Sequence, residues 1–375
     1  MQIQSILLAG ALLAGSASAL PSFDDEEPNF DALVVDAAQL ELHYGKKSTT
    51  GAKVDKKLSR AVRSTLNRWA PLAREHGLEV AVSEEADVVF IGAAEDDVLV
   101  DAARWADETW ELFEELLPPA LDEADEDGAE LPRPHATTVF LFDRDGFASD
   151  AWPALLDEMA ARLYITKGFA TAMAGDPGSF TVRRQSIFVQ NTYDMAGDAG
   201  AGDDEFRLGN EIAHKTAQYL VEDRFGRQPD VIRWGVGYVA EWRLFESAYQ
   251  FNAGGFVASE SHFGWPEKTH DWIKDRSKSK RDDFSLTHTM FTCQTPGTAE
   301  KAQQAAWGVL DHLLAKEPED LAVMLDQLGR LHAEEDPRGE SPSYEGEGGA
   351  TLEACSAVVD ELKTKTLLKH LKKLK

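Results

Sequence analysis

The sequence predicts an α+β protein whose short strands lie in its first half and whose second half is mainly helical. Two observations carry this expectation. Before residue 190, short β-branched and aromatic runs alternate with stretches whose apolar residues recur at helical spacing. From residue 204 onward helical spacing dominates, and Gly and Pro punctuate the segments.

In chain order, the second half of Leu33 to Leu42 alternates as a strand does. From Asp55 to His76, Leu58, Val62, Leu66, Trp69 and Leu72 predict a helix stopped by Gly77, with Pro71 kinking it or ending it a turn early. Leu78 to Val82 and Asp87 to Ile91 read as short strands, and Asp96 to Leu117 as a helix burying Val100, Trp105, Trp110, Leu112 and Phe113. Residues 118–134 form an acidic, Pro-bounded linker or loop. Thr137 to Phe142 is a continuous apolar strand ending in a turn at Asp143 to Gly146. A helix is expected from Asp150 to Phe169, with Leu163 and Tyr164 inside, and Phe180 to Val189 reads as a hairpin or edge strand. Later helices are expected at Asp204 to Phe225, Val236 to Tyr249, Thr298 to Lys316, Leu321 to Leu331 and Leu352 to Leu371. The last of these is Lys-rich and amphipathic. It reads first as a terminal helix docked on the body, and second as a membrane-surface segment.

Composition bounds the partners. Of the 375 residues, 66 are acidic and 38 basic, a net charge of -28. Such a charge repels nucleic acid and anionic membranes, and leaves peptide, protein or cations as partners. The apolar run Ile6 to Ala14, followed by Ala17-Ser18-Ala19, predicts a signal peptide cut after Ala19, although no Lys or Arg precedes it. The protein is therefore expected to be secreted or periplasmic, with no integral membrane segment in the mature chain. In that compartment Cys293 and Cys355 are expected to form a disulfide, closing a loop of about 60 residues and contributing roughly 4 kcal/mol. The expected organisation is a signal peptide (1–19), an acidic leader (20–32), an N-terminal α/β region (33–117), the linker (118–134), a main domain (135–333) and a C-terminal loop and helix (334–375).

The segment with chemical content is Asn210-Glu211-Ile212-Ala213-His214. In H-E-x-x-H, two histidines four apart bind zinc on one helical face, and the glutamate between them serves the metal-bound water. Here Glu211 and His214 stand in register, but Asn210 offers a neutral amide in place of the first ligand. Downstream, Trp234-Gly235-Val236-Gly237-Tyr238-Val239-Ala240-Glu241 resembles the W-L-x-E-G-x-A-E segment of gluzincin metallopeptidases, with Gly237 where the third ligand belongs. The ordered set of Glu211, His214, Trp234, Ala240 and Glu241, together with the succession of elements from about residue 87 to 330, resembles the exported bacterial branch of that peptidase-MA-like clan.

The resemblance implies a thermolysin-like architecture. A small mixed sheet would place an edge strand, Ser186 to Val189, over the motif helix, and a mainly helical C-terminal part would close the cleft. It also implies a degenerate metal site with no metal expected, because Asn210 and Gly237 lack competent donors and Glu211 is left as a vestigial general base. The protein would then be a catalytically inactive, peptidase-like binder of peptide or protein. Two alternatives stay open. One is a metal-dependent hydrolase holding zinc, or another divalent metal such as iron or manganese, on Glu211, His214 and Glu241. The other is an acidic extracellular structural or scaffold protein. Restoring Asn210→His and Gly237→Glu would rebuild the ligand set on paper, and a side chain at Gly237 should add helix propensity unless close packing forbids one there.

Overall fold

The computed structural model describes residues 41–44, 47–50, 58–83, 85–93, 96–117, 136–182, 186–192, 208–248, 251–252, 255–256, 264–278, 285–292, 299–336 and 349–374. The chain is a mixed α+β protein, mostly helical. The strands are β1 (Glu41–Tyr44), β2 (Lys47–Thr50), β3 (Glu79–Ser83), β4 (Val88–Ala93), β5 (Thr137–Phe142), β6 (Phe180–Val182), β7 (Ile187–Asn191), and the two-residue pair β8 (Phe251–Asn252) and β9 (Gly255–Phe256). The helices are α1 (Arg60–His76), α2 (Asp96–Leu116), α3 (Arg144–Ala148), α4 (Ala151–Ala161), α5 (Lys167–Gly175), α6 (Leu208–Phe225), α7 (Asp230–Phe245), α8 (Trp265–Lys278), α9 (Leu286–Thr292), α10 (Ala299–Lys316), α11 (Pro318–Glu335), α12 (Gly349–Val359) and α13 (Thr364–Leu371).

The main sheet runs in the order β2-β1-β3-β4-β5-β7-β6. Its centre is parallel, with Phe90 beside Val139 and Phe140 beside Val189. β3 joins β4 antiparallel, and β6 folds back on β7 as an antiparallel hairpin. β4 and β5 are buried almost throughout because helices cover both faces, which is why their sequences read as continuous apolar runs rather than alternating ones. One face carries Val80, Val89, Ile91, Phe140, Phe142 and Val189, packed on α1 and α4. There Trp69 sets its edge on Phe140 at 4.9 Å, and Trp152 meets Phe142 at 5.6 Å. The opposite face, with Phe90, Val139, Leu141 and Phe188, packs on α2 and on one side of α6.

α6 lies between this sheet and a second, all-helical core. Leu208, Ile212 and Tyr219 face the sheet, and Tyr219 stacks on Phe188 at 5.7 Å. Ala213, Ala217, Val221 and Phe225 face α7, α10 and α11. A helix apolar on both sides belongs in the interior. At its end Gly226 takes a φ of 76°, and buried Gln228 donates to the carbonyls of Gly226 and Leu325, both at 2.9 Å. α11 approaches so closely there that a Cβ on Gly329 would lie 1.8 Å from the Phe225 carbonyl oxygen.

The strands β3, β4 and β5 and the helices α2, α6, α10 and α11 lie where the sequence predicts them, and Phe180 to Val189 is a hairpin. Several expectations are corrected. α1 runs past Pro71 to His76, held by the buried flanks Leu66, Trp69, Ala70 and Ala73 while Pro71 faces solvent. Asp143 to Gly146 is the capped start of α3, the Asp143 carboxylate accepting from the Gly146 amide. The helix expected from Asp150 to Phe169 is two helices. Leu163 turns into the left-handed region (φ 61°), leaves the core and is 72 % exposed, and Thr166 caps α5. α7 starts at Asp230, six residues earlier than predicted, because Pro229 opens it as well as closing what precedes. The Leu352 to Leu371 helix breaks at Asp360, whose carboxylate instead accepts from Ser285 and the Thr287 amide at the start of α9. The outermost strand beside β7 is β6, so the edge is Phe180–Val182 and not Ser186 to Val189.

The signal peptide, the acidic leader, the 118–134 linker and Cys293 fall outside the described residues. Cys355 is a free thiol in the helical core, and burial raises its pKa to about 12. No described helix is long and apolar enough to cross a membrane.

A buried polar cluster ties α13 to this core. Asp311 of α10, wholly buried, accepts from Arg243 Nε of α7 and from His370 Nε2 of α13, each at 2.6 Å. The neighbouring His312 is also buried, and neither ring nitrogen has a hydrogen-bond partner among the described residues. Its ring stands edge-on to His370 at 5.0 Å, with Glu317 3.8 Å from Nε2. Burial, His370 and Lys316 push its pKa down to about 4, against the pull of Asp311. In the unfolded chain this histidine takes up its proton near pH 6.5. The contribution of His312 to stability is therefore complete above pH 6.5 and lost as pH falls toward 4, on the order of 3 kcal/mol. Chemical denaturation of His312→Gln between pH 7 and pH 4 should show a flatter loss than the parent. Parallel curves would refute the assignment.

Candidate functional site

The motif residues meet where α6 packs on α7. On α6, Asn210 and His214 share a face one turn apart, with Glu211 and Lys215 beside them. α7 answers with Gly237 and Glu241, likewise one turn apart. Gly235 lets α10 approach α7 on another side, since a Cβ there would lie 2.6 Å from Leu310 Cδ1. At Gly237 the neighbour is the imidazole itself. A Cβ there would lie 2.6 Å from Cγ, Nδ1 and Cε1 of His214 alike, so the ring lies face-on over the glycine. Tyr238 closes the ring from another side, 4.7 Å away and inclined by 67°.

Glu241 is the centre of the cluster and 1 % exposed. Its Oε1 lies 2.6 Å from His214 Nδ1, and its Oε2 accepts from Asn210 Nδ2 at 3.1 Å. The same Asn210 amine also reaches Ser247, just beyond α7, at the carbonyl oxygen (2.9 Å) and at Oγ (3.2 Å). Asn210 thus serves as a donor that joins three acceptors, while its own Oδ1 is buried without a hydrogen-bond partner among the described residues. Burial, reinforced by the positive charges of Lys215 and Arg233, holds the His214 imidazole well below its usual pKa. The Glu241 carboxylate works in the other sense, but a neutral ring carrying its proton on Nδ1 satisfies it. His214 Nε2 then has no hydrogen-bond partner among the described residues.

Glu211 does not join this network. It is buried, has no hydrogen-bond partner among the described residues, and burial raises its pKa against the pull of Lys215 one turn along. The Lys215 ammonium is disfavoured in turn, by burial first and by Arg233 of α7, against the pull of Glu211, Glu241 and Asp230. Trp234, the first residue of the downstream segment, points outward and is 39 % exposed, whereas Tyr238 and Trp242 pack into the helical core against Trp265 and Trp307. The second Glu-x-x-His, Glu267 to His270, lies on α8, where Glu267 is exposed and His270 bonds Asp271. α8 is nevertheless a helix with Trp265, Thr269 and Ile273 buried, which the polar, Pro-containing sequence there does not suggest.

Five of the positions singled out in the sequence, Asn210, Glu211, His214, Gly237 and Glu241, therefore gather at one place, but only Asn210, His214 and Glu241 are hydrogen-bonded to one another, with Gly237 beneath the imidazole. Two ligands on a tetrahedral metal, each about 2.1 Å from it, lie about 3.4 Å apart. The 2.6 Å between His214 Nδ1 and Glu241 leaves no room for an ion between them. No group of three His, Cys, Asp or Glu side chains among the described residues is placed to hold a metal. Sequence reasoning missed Ser247, Lys215 and Arg233. Lys215 was legible as the residue four after Glu211 on one helical face. Ser247 lies beyond the end of α7 and leaves no periodic signal.

The close packing that would forbid a side chain at Gly237 is present, because the His214 ring lies against it. Gly237→Ala should cost about 1–3 kcal/mol, because overpacking forces the imidazole off Glu241. In His214→Ala the same substitution should cost much less, a coupling that urea denaturation of the four proteins would reveal. Equal costs in both backgrounds would show that the ring is not what position 237 meets. Comparison with protein-family models and with curated proteins finds no match to this chain, so the chemistry of the cluster has to follow from its own geometry.

Proposed function

We propose that this is an exported, catalytically inactive relative of the gluzincin peptidases that binds peptide or protein in the cleft its metal site once served. The observation that carries the reading is the use made of His214. Its Nδ1 is taken by Glu241 at 2.6 Å, and its ring fills the space a ligand side chain at 237 would need. Without a metal, Glu211 has no water of lowered pKa to deprotonate. The thermolysin-like architecture is supported by the mixed sheet, by α6 packed beneath β5 and β7, and by the helical part that follows. β6, the outer strand next to β7, is the edge to which an extended peptide would add by main-chain hydrogen bonds, a mode that needs no metal. Export rests on the leader at residues 1–19.

Two measurements on the mature protein, prepared without chelators, test this reading. Elemental analysis should find far less than one zinc, iron or manganese per chain, and a library of extended peptides should yield binders whose affinity does not change with EDTA. Stoichiometric metal lost in His214→Ala and in Glu241→Gln would install the metal-dependent hydrolase instead. Absence of any peptide binding would favour an acidic scaffold in which the cleft has no ligand.

A further inference from the structure

The charge of this chain is segregated. Residues 363–375 hold six lysines and no acidic residue in a protein of net charge -28. α13 buries Leu367, His370 and Leu371 against the body, so its apolar face is already used. Lys363, Lys365, Lys369, Lys372 and Lys373 all face solvent, and none has an ion-pair partner among the described residues. Of the two acids nearest in sequence, Asp360 is engaged by Ser285 and the Thr287 amide, and Glu361 is exposed. α8 packs along α13, and its last turns add Lys274 and Lys278, also exposed and without an ion-pair partner among the described residues. On a chain with 66 acidic residues, these seven solvent-facing lysines on and beside two touching helices, none ion-paired among the described residues, make a distinct surface, although α8 also exposes Glu267, Asp271 and Asp275.

We propose that this lysine face docks the protein on anionic phospholipid head groups. A cluster of this size on an amphipathic helix is the pattern that recognises such surfaces, each lysine strengthening binding by about fivefold. Head-group phosphates suit the site better than nucleic acid does. Six of the residues in 363–375 are point-charge lysines with no arginine fork and no exposed aromatic ring on which a base would stack, and α8 adds a single arginine, Arg276. Half-buried Leu368 and Leu374 border the lysines and supply aliphatic surface at the level of the head groups. The acidic remainder of the chain does not prevent contact, because its repulsion is screened beyond about 8–10 Å at physiological salt. With the apolar side of the helix already buried, the contact is peripheral and salt-sensitive.

The test is co-sedimentation of the purified full chain with vesicles of phosphatidylcholine, with and without phosphatidylglycerol. Binding is expected to the anionic vesicles alone, at about 0.1 M salt, with release at about 1 M. The variant Lys365→Gln/Lys369→Gln/Lys372→Gln/Lys373→Gln alters exposed side chains only, and its melting temperature should match the parent's. Its partitioning should fall on the order of 100-fold or more. No binding to the anionic vesicles at about 0.1 M salt would overturn the proposal, as would a variant that binds as well as the parent. Complete displacement from the vesicles by duplex DNA at equal phosphate concentration would assign the surface to nucleic acid and overturn it too.

Discussion

The arrangement around α6 and α7 depends on one buried anion. A carboxylate withdrawn from water as fully as Glu241 costs several kcal/mol, and the cost is offset only where donors surround it in good geometry. Asn210 and His214 are those donors, one on each oxygen, and both come from the neighbouring helix. Their spacing of four residues matches one turn, so a single carboxylate fixes the two helices in rotation and in register. Gly237 follows from the same requirement. The imidazole that reaches Glu241 must cross the surface of α7 one turn earlier, and only a residue without a side chain lets it pass.

The same solution recurs two residues further along α7. Arg243 reaches a second buried carboxylate, Asp311 of α10, whose other oxygen takes His370 from α13. Each carboxylate binds one histidine and one further donor, and each joins separate helices. α7 takes part in both, as acceptor through Glu241 and as donor through Arg243. The helical core is thus pinned by two polar contacts that apolar packing alone would not specify. The sheet supplies the opposite wall, with Phe188 of β7 stacked on Tyr219 of α6, so the motif helix is held from both sides.

Much of this was legible in the sequence because packing follows periodicity. The apolar runs Leu78 to Val82 and Thr137 to Phe142 are strands covered on both faces, and Ala302, Ala306, Val309, Leu310 and Leu313 form one buried stripe of α10. Periodicity failed where a tertiary contact or a local backbone choice decided. Leu163 continues a helical pattern, yet its backbone turns left-handed and α4 ends. Trp265-Pro266 opens a helix because Pro fits a first turn and Trp265 anchors it, although few apolar residues follow. At the site, spacing brought Asn210, His214, Gly237 and Glu241 to one place. Their roles as donor, ring, gap and acceptor depend on side-chain rotamers, which spacing does not encode. Asn210 had the look of a lost ligand, and in the structure it is one of the donors to the buried Glu241 carboxylate.

The central claim, that His214 is a neutral ring committed through Nδ1 to Glu241, is tested most directly by long-range proton–nitrogen NMR correlations of its imidazole. The account predicts a protonated Nδ1 and an unprotonated Nε2 at neutral pH, with both shifts moving in Glu241→Gln. It also predicts that equimolar zinc leaves them unchanged. A doubly protonated ring, or a zinc-induced shift of His214 with saturation at one equivalent, would contradict it.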